Sequence, residues 1–150
     1  MGTYVTDWSN NPPTIETNLF DYSAAEILTT SSFKYGRFEI RCKIPEGKGF
    51  WPAFWLFAGN PWNEIDVFEF NNHSTTKHIM TLHYDINGNG NTKDCPEGCC
   101  LSYDGTDFSQ DFHIFTLIWD EYKIEWWVDN QLKRRLTKYH YLSAVGQFNP

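Results

Sequence analysis

The sequence has few basic residues and no long apolar run. Its 150 residues contain 12 Lys and Arg against 19 Asp and Glu, a net charge of -7. This balance makes nucleic acid and anionic membrane surfaces poor partners. No apolar stretch is long enough to span a membrane, and the first eight residues lack the apolar segment of a signal peptide. A neutral polymer is therefore a better candidate for the ligand. We also expect the protein to be a monomer.

Cysteine is also scarce, with four residues at positions 42, 95, 99 and 100. The last three lie in the segment Cys-Pro-Glu-Gly-Cys-Cys. A disulfide within this segment fits an oxidising compartment, and unpaired thiols are the alternative. Zinc is disfavoured because no second Cys/His pair with ligand spacing follows. We identify no metal ligands and expect no cofactor.

Aromatic residues, by contrast, are abundant, with 7 Trp, 8 Tyr and 12 Phe. A core of ordinary size needs only part of them. The remaining rings lie at or near the surface, where exposed rings often form binding platforms. Aromatic residues also favour twisted strands, so any single ring has a structural alternative.

Alternating apolar and polar residues predict short β-strands along most of the chain. Phe38, Ile40 and Cys42 share one face of the clearest run, and charged residues share the other. The run at 53–58 is almost wholly apolar, which is typical of a strand covered on both faces. The predicted strands span residues 37–44, 53–58, 64–71, 78–85, 113–120 and 122–129.

Turn and loop signals separate these strands. Asp129-Asn130 indicates a tight hairpin, and the Asn-, Gly- and Asp-rich residues 85–107 indicate a long surface loop. Residues 1–25 contain Pro12 and Pro13 and are predicted to be an irregular N-terminal segment. Without an internal repeat or a convincing helix, the pattern predicts an all-β antiparallel sandwich or barrel over residues 26–150.

Three carboxylates lie close together in the strand predicted at 64–71. Side chains of a regular strand alternate faces, so Glu64 and Asp66 would share a face while Glu69 pointed into the core. A buried unpaired carboxylate there is costly. A one-residue β-bulge near Val67 and Phe68 removes the conflict by returning Glu69 to the face of the other two. We therefore predict a bulge at this point.

With the bulge, the spacing of the carboxylates suits a specific chemistry. Glu64 and Glu69 would be about 13 Å apart at Cα, and their side chains can lean together to about 5 Å, the separation found in retaining glycosidases. Crowding forces the pKa values of such groups apart, so that one carboxyl donates a proton while another stays ionised. On spacing alone, an acidic strand without chemistry remains the alternative.

The segment Asn-Pro-Trp-Asn-Glu-Ile-Asp-Val-Phe-Glu-Phe at 60–70 resembles the active-site signature of glycoside hydrolase family 16. The E-x-D-x-x-E spacing resembles the bulged, laminarinase-like subgroup of that family. Further segments resemble the family in the same order, at residues 33–41, 47–56, 111–116 and 123–129. The resemblance covers residues 28–135.

This resemblance implies a jelly-roll sandwich of the concanavalin-like type and a retaining, endo-acting hydrolase of β-1,3 or mixed β-1,3/1,4 glucan. Glu64 would be the nucleophile and Glu69 the general acid/base, while Asp66 would hydrogen-bond the nucleophile. The substrate-binding residues implied by the resemblance are Trp62, Glu39, Arg41, Trp51 and His83. Family members often bind a structural calcium through their terminal segments, and because those segments are not identifiable in this sequence we assign no calcium ligands.

Several alternatives for the function remain. Family members are longer, and the strands expected after residue 141 are not identifiable, so the domain is predicted to be partial. The alternatives are a non-catalytic glucan-binding module, a transglycosylase, and a hydrolase of an algal galactan of the agarose or carrageenan type. The presence of all three acidic residues favours a hydrolase. We expect a polysaccharide partner and a secreted, periplasmic or cell-surface location.

Overall fold

The computed structural model divides the chain into two compact units, Met1–Ser32 and Phe33–Pro150. The structure describes residues 2–7, 14–18, 24–59, 63–71, 74–84, 93–94 and 101–138. Among these residues, no helix is long and apolar enough to cross a membrane.

The first unit contains a β-hairpin where the sequence predicts irregular structure. Strand β1 spans Gly2–Asp7 and pairs antiparallel with β2, which spans Thr14–Asn18. The expectation of an irregular segment is corrected for these two ranges. Val5 lies opposite Ile15, and such β-branched residues favour strands. The intervening prolines and asparagines dominated the local sequence pattern and concealed this pairing.

The second unit confirms all six strands predicted between residues 37 and 129. They are β3 (Gly36–Cys42), β4 (Ala53–Phe57), β5 (Asn63–Glu69), β6 (Lys77–Tyr84), β9 (His113–Trp119) and β10 (Lys123–Val128), with β7 (Lys93–Asp94), β8 (Leu101–Asp104) and β11 (Gln131–Thr137) completing the described strands. Strands β7 and β8 correct the prediction of a long surface loop at residues 93–94 and 101–104. Both pair with β6 through the backbone, and such short ranges show no clear alternation of apolar and polar residues.

These strands form two antiparallel sheets, which confirms the all-β prediction. The first has the order β11-β10-β9-β3. The second has the order β4-β5-β6-β7, with β8 also paired to β6. The connection between β3 and β4 therefore passes from one sheet to the other.

The hairpin between β10 and β11 forms at the predicted Asp129-Asn130. Both residues have positive φ, 48° and 63°. Two consecutive left-handed residues form the type of turn whose twist matches that of the flanking strands. Asp129 also accepts a hydrogen bond from the backbone N–H of Ile114 at 2.9 Å, which ties the turn to β9.

The core lies between the two sheets and is rich in aromatic rings. Phe68 of β5 packs against Phe115 of β9 with ring centroids 4.5 Å apart. The indole of Trp126 on β10 donates a hydrogen bond to the backbone carbonyl of Asp66 at 2.8 Å. Trp126 is 1% exposed. The two sheets are thus joined by both apolar packing and a buried hydrogen bond directed at β5.

Candidate active site

Strand β5 carries a β-bulge at the predicted position. Asp66 lies opposite Thr81 on β6, yet Glu69 lies opposite Ile79. Three steps along β5 therefore match two along β6. The same irregularity appears against β4, where Asp66 and Phe68 pair with consecutive residues. The bulge prediction is confirmed.

The bulge changes which side chains of β5 reach the core. Ile65, Val67, Phe68 and Phe70 are all buried among the core residues. Both bulge residues, Val67 and Phe68, contribute to the core. Since they share the inner face, the carboxylate of Glu69 returns to the outer face.

Cross-strand neighbours place the three carboxylates in successive rows on the outer face of the five-stranded sheet. Directly opposed residues have side chains on the same face. The first row is Phe57, Glu64 and His83; the second is Trp55, Asp66 and Thr81; the third is Ala53, Glu69 and Ile79. The acidic groups therefore lie along one line between β4 and β6.

Asp66, in the middle of this line, is buried even though it faces outward. Its exposed fraction is 3%, and Thr81 beside it is 1% exposed. Burial, followed by the charges of Glu69 and Glu64, raises the pKa of Asp66 to about 7. The imidazole Nε2 of His83 lies 3.1 Å from Asp66 Oδ2 and favours the ionised form. The site thus contains a carboxyl that changes protonation near neutral pH.

Two predicted substrate-binding residues, His83 and Trp51, do lie beside the carboxylates. His83 is directly opposite Glu64 across the β5–β6 ladder. Trp51 precedes β4, and its indole Nε1 donates a hydrogen bond to Glu69 Oε1 at 3.0 Å. Trp62 lies outside the described residues, so its role stays a prediction.

Glu39 and Arg41, in contrast, lie on β3 in the other sheet. Thr116 of β9 donates a hydrogen bond to Glu39 at 2.8 Å, and this bond contributes most to lowering the pKa of Glu39. The guanidinium of Arg41 lies 4.5 Å from the ring centroid of Phe112. Both side chains point away from the core face that carries Phe38. The expectation that they join the carboxylates is corrected: alternation predicted their face, but not their sheet.

Two aromatic residues beside the carboxylates were not predicted as site residues. Trp55 and Phe57 lie on the outer face of β4, opposite Asp66 and Glu64, and Phe57 is 54% exposed. The sequence indicated a strand covered on both faces because its residues are apolar on both. Instead, the inner face packs on the core and the outer face presents rings. Aromatic residues alternating next to an acidic strand were the signal that could have identified them.

No metal-binding group accompanies these residues in the part of the chain that the structure describes. There, no cluster of three or more His, Cys, Asp or Glu side chains could hold an ion. Cys42 is a free thiol, and burial raises its pKa to about 11. The cysteines at 95, 99 and 100 lie outside the described residues, so their pairing stays a prediction, as does the absence of a cofactor.

The sequence model of glycosyl hydrolases family 16 matches residues 3–150. The chain belongs to glycosyl hydrolases family 16. Its two sheets are therefore those of the jelly-roll sandwich of this family, as the sequence predicted.

Individual family 16 proteins resemble the chain over most of its length. It is 30% identical to glucan endo-1,3-beta-glucosidase A1 of Niallia circulans, covering 86% of this chain and 20% of that protein. It is 32% identical to glucan endo-1,3-beta-glucosidase of Cryptopygus antarcticus, covering 75% of this chain and 43% of that protein. The laminarinase catalytic domain of Thermotoga maritima has a similar structure, with 38% identity and a TM-score of 0.62, covering 76% of this chain and 47% of that one. The chain thus spans less than half the length of these family 16 relatives.

Proposed function

We propose that this chain carries the catalytic strand of a retaining endo-glycoside hydrolase that cleaves internal β-1,3 or mixed β-1,3/1,4 bonds of glucan. The observation that supports this most strongly is the bulge in β5, which brings Glu64, Asp66 and Glu69 to one face. An acidic strand without chemistry has no need of an irregularity that places a third carboxylate beside two others. The names of the relatives, both endo-1,3-β-glucosidases, support β-1,3-glucan as the substrate.

The reaction proceeds in two displacements. In the first, a carboxylate oxygen of Glu64 bonds to the anomeric carbon of the sugar, while protonated Glu69 gives its proton to the departing glycosidic oxygen. In the second, ionised Glu69 removes a proton from water, and the water oxygen replaces Glu64 on the anomeric carbon. Two inversions leave the configuration retained, and both side chains return to their starting states.

Asp66 supports these displacements through its buried position between the two glutamates. Its neighbours Glu69 and Glu64 both act on its charge. By exchanging a proton near neutral pH, Asp66 limits the number of negative charges in the row as Glu64 and Glu69 change state. The contact with His83 fixes the orientation of its carboxyl.

Aromatic side chains beside the row supply the binding surface for a neutral polymer. Trp55 and Phe57 present rings on the carboxylate face of β4. Sugar rings carry apolar C–H faces that stack on such side chains. We propose the same role for Trp62. No role in this cleft is proposed for Glu39 or Arg41.

Reducing-sugar release from laminarin, mixed-linkage glucan, agarose and carrageenan tests this function. We expect release from one or both glucans, loss of that release in Glu69→Gln, and retention in Glu121→Gln. Glu121 provides a matched control because it is an exposed glutamate in the turn between β9 and β10. Proton NMR of the first products should show the β-anomer. Binding without release by a folded protein would instead indicate a glucan-binding module.

We also propose that the protein works outside the cytoplasm, as a secreted, periplasmic or cell-surface protein. The reason is that a polymeric glucan cannot cross a membrane to reach an internal enzyme. Immunoblots of culture supernatant, periplasm and cytoplasm measure this directly. Protein confined to the cytoplasm would contradict the proposal.

A further inference from the structure

Trp51 contacts the carboxyl group that would serve as general acid/base. Its indole Nε1 donates a hydrogen bond to Glu69 Oε1 at 3.0 Å. The ring itself is 64% exposed. The bond is therefore made by an aromatic side chain that contributes little to the core.

The backbone around this pair holds both partners in place. Ala53 lies opposite Glu69 in the β4–β5 ladder, and Trp51 is two residues before Ala53, just ahead of β4. The backbone N–H of Phe70 donates to the carbonyl of Pro52 at 3.1 Å. This hydrogen bond joins the residue after Trp51 to the residue after Glu69. Pro52 further restricts the approach because its ring fixes φ.

The chemistry of the indole gives this bond a direction. An indole N–H can only donate, and a carboxyl oxygen that carries no proton can accept from it. Oε1 can therefore accept from Trp51 whether Glu69 is ionised or protonated, provided that the proton is on Oε2. The bond can persist through both displacements.

We propose, on the basis of the function proposed above, that Trp51 is a positioning residue for Glu69. By occupying Oε1 it directs the transferred proton to Oε2, which would give the proton to the glycosidic oxygen and later take one from water. This role is distinct from the stacking of a sugar on the same ring. It depends on the N–H, whereas stacking depends on the aromatic face.

Trp51→Phe separates the two roles because it keeps an aromatic ring and removes the N–H. Two aryl glycosides of laminaribiose provide the measurement. A phenyl leaving group needs a proton to depart, whereas a 2,4-dinitrophenyl leaving group does not. We expect kcat/KM for the phenyl glycoside to fall by about tenfold, with the dinitrophenyl glycoside changed by less than about twofold. The alkaline limb of the pH profile for the phenyl glycoside should shift.

Tyr122→Phe serves as the matched control. Tyr122 is 66% exposed, close to the value for Trp51, and lies in the turn between β9 and β10 of the other sheet. This variant also removes one polar hydrogen from an exposed aromatic side chain, and it should leave both kcat/KM values unchanged. Thermal unfolding of both variants checks that the fold is intact.

A second measurement tests whether Trp51 acts through Glu69. In a Glu69→Gln background, Trp51→Phe should cause no further loss of kcat/KM for the phenyl glycoside. An equal loss on both glycosides, or a further loss in that background, would overturn the positioning role in favour of binding. No change on either glycoside would also overturn it. If the unmodified protein cleaves neither glycoside, the proposed function itself fails, and this result is distinct from the others.

Discussion

The imidazole Nε2 of His83 lies 3.1 Å from Oδ2 of Asp66, whose carboxyl group is buried beneath the outer face of the sheet. His83 comes from the strand next to the bulged one and lies opposite Glu64. The side chain of His83 thereby contacts the central carboxylate, that of Asp66. The backbone of His83 lies opposite the proposed nucleophile Glu64 in the β5–β6 ladder. Strand β6 therefore helps to position the acidic side chains that β5 carries.

The pKa of Asp66 predicts how stability depends on pH. Burial first, and then the charges of Glu69 and Glu64, raise it from 3.8 to about 7. Between these pH values the folded protein holds a proton that the unfolded chain has released. This contribution to the free energy of unfolding is therefore complete below pH 3.8 and is lost as the pH rises toward 7.

We expect Asp66→Asn to remove this contribution, so that the change in stability across the interval differs from that of the parent by up to ~4 kcal/mol. Urea unfolding at a series of pH values measures the slope. Glu121→Gln, at an exposed carboxyl, is the control and should leave the slope unaltered. A slope in Asp66→Asn equal to that of the parent would show that Asp66 does not titrate in this range.

His78 contributes the opposite pH dependence within the same interval. It packs among Phe70, Phe108 and Phe115 in the core. Burial, and secondly the charge of Lys133, lowers the pKa of His78 from 6.5 to about 4. The unfolded chain binds a proton in this interval and the folded protein does not. The contribution of His78 to stability should therefore fall as the pH decreases from 6.5 toward 4.

We expect His78→Phe to remove about 3 kcal/mol of this pH dependence. Thermal or urea unfolding between the two pKa values provides the measurement. Leu82→Ala is the control, since it removes buried apolar volume without a titrating group and should lower the whole curve evenly. Parallel curves for the parent and His78→Phe would be inconsistent with a neutral core histidine.

The bulge can be tested by deleting Val67 together with Phe68. Without both residues Glu69 directly follows Asp66, so alternation turns the carboxyl of Glu69 toward the core, which should cost on the order of 3 kcal/mol or more and abolish turnover. Deleting Val67 alone removes the extra residue and leaves Glu69 on the face of Glu64 and Asp66, so it should be the milder change. Val67→Ala keeps the residue count and should cost only about 2 kcal/mol while retaining activity. Turnover that survives the double deletion would refute the role of the bulge.

The proposed nucleophile makes a separate prediction about binding. Glu64→Ser should reduce kcat on laminarin by roughly 10³-fold or more, because no carboxylate remains to form the glycosyl intermediate. Binding of laminarin, measured by affinity electrophoresis, should remain largely intact. Turnover at the parental rate would require another nucleophile.

Alternation predicted several strands of this fold, because their core face is apolar and their other face is mostly polar. Strand β4 is apolar on both faces and was predicted from its apolar run. It also predicted the bulge, since a break in parity at Glu69 has few other physical explanations. The same rule could not assign strands to sheets. Glu39 and Arg41 were therefore placed correctly on an outward face. Their strand, however, pairs with β9 in the sheet that does not carry the carboxylates.

Other features escaped prediction for different physical reasons. The outer aromatic rings of β4 were concealed because a binding surface and a core have the same apolar composition. The contact of Trp51 with Glu69 depends on how a segment before a strand approaches its neighbour, and that approach has no periodic pattern. The β1–β2 hairpin is short, so its alternation was too brief to outweigh the turn-forming residues around it.

The hydrogen bond from Trp126 to the carbonyl of Asp66 joins the bulged strand to the opposite sheet. Movement of β5 by one residue would break this bond and separate the layers around it. Heat inactivation should consequently coincide with global unfolding, without an earlier stage in which the chain stays folded but the carboxylates lose their alignment. A cross-sheet indole thus makes the alignment of the carboxylates part of the cooperative native state.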